Sequence, residues 1–92
     1  MTPISAEDAE QRASGLPGWK IEAGELVKTF AFKDFREALA FVNRVGEAAE
    51  SAGHHPDIDI RYSRVRLALV THHAGGLTER DFDLAARVNG LQ

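Results

Sequence analysis

Residues 57–71 read DIDIRYSRVRLALVT, and this stretch decides the fold. From Asp57 to Tyr62 polar and apolar residues alternate strictly, the period of a strand with one covered face. Val65 to Thr71 is rich in β-formers and reads as the return strand of a hairpin. With Ser63-Arg64 as the tight turn, Tyr62 faces Val65, Ile60 faces Leu67 and Ile58 faces Leu69. That register makes one face of the hairpin apolar, and a one-residue slip would break the match. Carried outward, it sets His55 opposite His72 and His54 opposite His73, with facing Cβ atoms about 4.5–5.5 Å apart. Pro56 lacks a ladder donor and holds His55 extended, so the ends splay while the imidazoles stay clustered.

The rest of the chain supplies the partners of this hairpin. Upstream, Trp19, Ile21 and Leu26 alternate with Lys20, Glu22 and Glu25 around a turn at Ala23-Gly24, which predicts a first hairpin over 18–22 and 25–32. Between the hairpins, Asp34 and Glu37 form an Asp-x-x-Glu start to a helix. Phe35, Ala38, Leu39, Val42, Val45, Ala49 and Ala52 recur at helical spacing, Phe41 widens the stripe, and Gly53 ends it. Ser5 to Ser14 predicts a short first helix capped by Ser5. Thr78 caps a last helix with Asp81 at its third position and Phe82, Ala85 and Val88 facing inward. The order α-ββ-α-ββ-α predicts a two-layer α+β sandwich, a four-stranded antiparallel sheet covered on one face by helices. No linker, repeat or low-complexity segment divides residues 1–92, so they read as a single domain.

Composition narrows the class. The 92 residues carry 11 Lys+Arg and 14 Asp+Glu, a formal net charge of −3, which argues against a dedicated nucleic-acid binder. There is no Cys, which excludes disulfides, thiolate chemistry and Cys-based metal centres. No apolar run approaches the ~18 residues of a membrane span. The first residues carry Glu7, Asp8 and Glu10 rather than a basic leader, so a cytoplasmic enzyme or interaction module is expected.

All four histidines fall in the two pairs His54-His55 and His72-His73. Imidazole has an ordinary pKa near ~6.5, so both protonation states are available at neutral pH. Two in one pocket can divide proton donation and acceptance, which typically contributes about 10²–10⁴-fold to a rate. A metal is the competing chemical reading, since imidazoles suit Zn, Cu and Ni. Against it, the chain has no His-x₃-His helix motif and no Cys partner, and adjacent strand histidines point to opposite faces.

Glu50, three residues, His54-His55-Pro56, five residues, Tyr62, nine residues, His72, eight residues, Asp81: this spacing closely resembles the pterin carbinolamine dehydratases. Gly18-Trp19, the run Phe30 to Phe35, Arg44-Val45, Thr71-His72 and the run Gly76 to Asp81 are similar to that family as well. The resemblance extends from about Leu16 to Val88, and His73 alone has no place in the pattern. It implies an α+β sandwich and a hydro-lyase reaction. The family removes water from the 4a-hydroxytetrahydropterin (4a-hydroxytetrahydrobiopterin in animals) left by aromatic amino-acid hydroxylases, giving quinonoid dihydropterin in pterin recycling. It further implies no cofactor and no metal, with subunits assembled as homodimers or homotetramers.

By position, His54 and His72 resemble the acid/base pair, and His55 a substrate-contacting residue that shares in proton transfer. Asp81 resembles a site residue orienting a histidine, although a helix cap alone would also call for an acid there. Glu50 and Arg80 read as solvated helix residues or as support for the site, Pro56 shapes the loop, and Tyr62 packs under the hairpin. Trp19 belongs to core or rim, with stacking on a pterin as the alternative. A second function is weighed beside catalysis. Members of this family also serve as non-enzymatic protein-binding modules, as dimerisation cofactors of a homeodomain transcription factor or as assembly chaperones of a carbon-fixing enzyme. The intact histidine spacing favours catalysis.

Overall fold

The computed structural model describes residues 2–92. Helix α1 (Ala6–Ser14) begins at Ser5, whose Oγ accepts from the Asp8 N–H at 3.2 Å. Strands β1 (Lys20–Glu22) and β2 (Glu25–Ala31) are joined through Ala23 and Gly24, with φ values of 50° and 77°. Two successive positive φ values match the twist of a two-residue hairpin turn. Helix α2 (Phe35–Ala52) starts at Asp34, whose carboxylate accepts from Glu37 N–H at 2.9 Å. Glu37 itself reaches back to Lys33 N–H at 3.3 Å. Strands β3 (Asp57–Arg61) and β4 (Arg64–Leu69), a 3₁₀ turn over His72–Ala74 and helix α3 (Glu79–Asn89) complete the chain. The sheet order is β1-β2-β4-β3, antiparallel throughout, and helices pack on one face, as the α-ββ-α-ββ-α pattern predicts.

The core lies between sheet and helices. Ala38, Phe41 and Val45 of α2 and Phe82, Ala85 and Val88 of α3 pack on Leu26, Phe30, Val65, Leu67 and Leu69. Phe30 and Phe41 sit with ring centroids 4.7 Å apart, and Trp19 meets Phe30 edge-on at 6.1 Å. Such contacts contribute about 0.5–1.5 kcal/mol beyond simple burial. The apolar stripe expected on α2 is narrower than its sequence suggests, because Phe35 and Leu39 are exposed.

The second hairpin departs from the expected register. Ile58 pairs with Leu67, Ile60 with Val65 and Arg61 with Arg64, so Tyr62-Ser63 makes the turn. Alternation fixes which residues share a face but is blind to a shift of two, and the observed register differs by two. Tyr62 takes φ 51° in the turn and is 69% exposed, so it does not pack under the hairpin. Ile58 and Ile60 still share a side with the buried Leu67 and Val65. They are nonetheless more than a third exposed, because β3 is an edge strand beyond the reach of the helix layer. The ladder ends at Asp57–Ala68, so the histidines are not direct cross-strand partners. No helix among the described residues is long and apolar enough to cross a membrane.

Candidate active site

The end of α2 determines where His54 starts. Gly53 adopts the left-handed conformation, φ 62° and ψ 32°. Its N–H donates to Glu50 O at 3.2 Å, and His54 N–H donates to Ala49 O at 3.1 Å. This paired arrangement closes a helix and turns the chain sharply. His54 is thereby directed inward and is buried. Its Nε2 lies 2.5 Å from Asp81 Oδ1 on α3. Arg80 fastens the same two elements, donating from Nη2 to Gly53 O at 2.7 Å.

Asp81 is fully buried, and each of its oxygens has its own work. Oδ2 accepts from Thr78 N–H at 2.9 Å, which completes the capping box of α3, and from Thr71 Oγ at 2.8 Å. Oδ1 is left for His54. Helix cap and histidine partner, the two readings of this acid, coexist in one carboxylate. His55, by contrast, is exposed and pairs through Nε2 with Glu50 on the last turns of α2. An exposed pair of this kind adds little to stability, but it does orient the ring.

The histidines meet in one open cavity of about 240 Å³ lined by His54, His55, His72, His73, Thr71 and Arg80, with Gly53 and Val70. The 3₁₀ turn His72–Ala74 delivers His72 and His73 to it. A second recess of about 200 Å³ also includes His54 and Arg80, together with Asp83 and Arg87. Trp19 lies in the core with Nε1 donating to Asn89 Oδ1 at 2.9 Å, and it does not line the histidine cavity. Pro56 sits between His55 and the first residue of β3 and lines neither recess. Among the described residues, no group of three or more His, Asp or Glu is arranged to hold a metal ion. In the sequence Thr71 enters only through the Thr71-His72 pair of the family resemblance, with no role attached to it. Its bond to Asp81 is created by the docking of α3, which local pattern does not reveal.

This arrangement of imidazoles and carboxylates can shuttle protons on a small ligand. The sequence profile described as "Pterin 4 alpha carbinolamine dehydratase" matches residues 2–91. A protein of Acidobacterium capsulatum named "Putative pterin-4-alpha-carbinolamine dehydratase" is 62% identical over 91 residues, 99% of each chain. A protein of the same name from Nostoc sp. is 54% identical over 88 residues, 96% of this chain and 95% of its own length. Among solved structures, a transcriptional coactivator/pterin dehydratase from Brucella melitensis superposes with a TM-score of 0.93 at 29% identity, covering 98% of both chains. A pterin dehydratase-like protein identified as a RuBisCO assembly factor in the alpha-carboxysome superposes with a TM-score of 0.65 at 28% identity, covering 79% of this chain and 84% of that one. The chain therefore belongs to the pterin-4-alpha-carbinolamine dehydratase family.

Proposed function

We propose that the protein is a hydro-lyase that removes water from a 4a-hydroxytetrahydropterin, giving quinonoid dihydropterin, by histidine general acid–base catalysis. The observation that carries this reading is one cavity lined by His54, His55 and His72, with His54 set against the buried Asp81. In the reaction the C4a–O bond breaks as its oxygen takes a proton and leaves as water. The neighbouring ring nitrogen loses its proton as the C=N bond forms. Donor and acceptor on a flat ring are the two roles that a group of imidazoles can fill. Protons balance without an oxidant or reductant, so the step uses no cofactor. The substrate is supplied by oxygenation of a tetrahydropterin, the chemistry of an aromatic amino-acid hydroxylase.

The same chain assembles with copies of itself in this reading. The exposed edge strand β3 with Ile58 and Ile60, and the exposed Phe35 and Leu39 one turn apart on α2, support self-association. A second reading, a non-enzymatic binding module, draws on the assembly-factor role named for one structural relative. A module of that kind has no need of a carboxylate-oriented histidine in an open cavity.

The deciding experiment follows the dehydration of freshly generated 4a-hydroxytetrahydropterin by ultraviolet absorbance, with and without the protein. Acceleration over the spontaneous rate is expected, and His72→Ala, folded by circular dichroism, should lose about 10²–10⁴-fold of it. Equal rates with and without folded wild-type protein would overturn the catalytic reading and leave the binding module.

A further inference from the structure

We infer that Thr71 is a positioning residue of this site, fixing the orientation of the Asp81 carboxylate against the His54 ring. The inference rests on the catalytic reading above for its functional meaning, and on geometry for its substance.

Thr71 stands at the N-cap of the 3₁₀ turn, where its hydroxyl would ordinarily bond the turn's own backbone, yet it makes no such cap bond. The hydroxyl is instead turned to Asp81 Oδ2 at 2.8 Å, and the residue is 1% exposed. Its backbone is pinned separately by hydrogen bonds with Gly76, Thr71 N–H to Gly76 O at 3.1 Å and Gly76 N–H to Thr71 O at 3.4 Å. The loop therefore does not need this hydroxyl to keep its shape.

The direction of every proton in the network follows from counting. Thr71 Oγ has one hydrogen, and the carboxylate oxygen can only accept it. The 2.8 Å contact between Thr71 Oγ and Thr78 Oγ must then be donated by Thr78. Thr78 Oγ in turn accepts from Arg80 N–H at 3.3 Å. Donation thus runs from the first turn of α3 through Thr78 and Thr71 into Asp81 Oδ2, which also accepts Thr78 N–H at 2.9 Å. The carboxylate is thereby held in one orientation, with its remaining oxygen facing His54 Nε2. The contact uses Nε2 of the ring, so the other ring nitrogen, Nδ1, is not engaged by Asp81. No side-chain nitrogen or oxygen buried within the described residues is left without a partner, so the network is closed as well as directed. Thr71 is also the residue directly before His72, so one side chain ties both histidine segments together.

The test replaces Thr71 with Val, which keeps the shape and removes the hydroxyl, and with Ser, which restores it. The readout is the proton NMR signal of the His54 ring Nε2–H, which reports its hydrogen bond to Asp81 without any turnover. Wild type and Thr71→Ser are expected to show a downfield, exchange-protected Nε2–H signal. Thr71→Val is expected to lose that protection, with kcat lower on the order of tenfold, the scale for a group acting through another, KM unchanged and Ser restoring the rate. If Thr71→Val does not fold, Thr71→Ala takes its place with the same expectations. A folded hydroxyl-free variant with the wild-type Nε2–H signal overturns the inference, even if its stability has fallen. If wild-type protein has no dehydratase activity, the catalytic reading fails by itself, while the spectrum still decides whether Thr71 sets the ring.

Discussion

In the proposed reaction Asp81 would couple stability to chemistry through one side chain. Asp81→Asn keeps an oxygen able to accept from Thr71 and Thr78, so the cap of α3 should survive with a loss of about 1 kcal/mol or less by thermal or chemical denaturation. The amide then presents its NH₂ to His54 Nε2, and the ring is forced to the opposite tautomer. Activity should fall on the order of 10²–10⁴-fold, as it does when a buried aspartate that orients a histidine is made an amide. A variant as active as wild type would remove Asp81 from the chemistry. At this scale the spacing of His54, His72 and Asp81 was legible through family resemblance, because spacing is what that resemblance measures. The bond of Thr71 to Asp81 was not legible, because that partner lies ten residues on and is brought to it only when α3 packs. Tyr62 was misplaced because a two-residue change of register leaves every facing pattern intact.

Helices and turns announce themselves by their ends. Asp34, Ser5 and Thr78 all cap where the sequence places them, since a cap is a local bond that needs no tertiary partner. The same locality allows a paired prediction. Gly53 has φ 62° with open space where a Cβ would go, so Gly53→Ala should cost about 1 kcal/mol through backbone strain alone. Ala23 bears the opposite mismatch, a non-glycine residue at φ 50° in the first hairpin turn. Ala23→Asn should stabilise by up to about 1 kcal/mol, since Asn-Gly suits such a turn. Urea denaturation of both variants against wild type checks the two signs together. Equal stability of Gly53→Ala and wild type would mean that the cap relaxes without strain.

For the whole molecule, the asymmetry of the sheet matters most. One edge, β3, keeps Ile58 and Ile60 at 38% and 36% exposure on the side that elsewhere forms the core. A long exposed apolar edge invites pairing with another strand. Wild-type protein is therefore expected to be oligomeric by light scattering, and the double variant Ile58→Lys, Ile60→Lys is expected to be monomeric with its fold retained. A monomeric wild type would show that the edge is left bare. The sandwich itself was legible because periods of two and of 3.6 alternate along the chain. The incomplete cover of β3 was not, since hydrophobic pattern shows which face is apolar and leaves open how far the helices extend over it.

The bond from Arg80 to the carbonyl of Gly53 has a consequence in time. It joins the end of α2 to the start of α3, and with the His54–Asp81 contact it bridges segments that the β-ladder does not connect. Small domains open in parts, with free energies below that of complete unfolding. A brief lifting of α3 would separate His54 from Asp81 while the four strands remain paired. On heating, loss of turnover would then precede loss of the sheet, and the working lifetime of the protein would be set by how often one helix lets go.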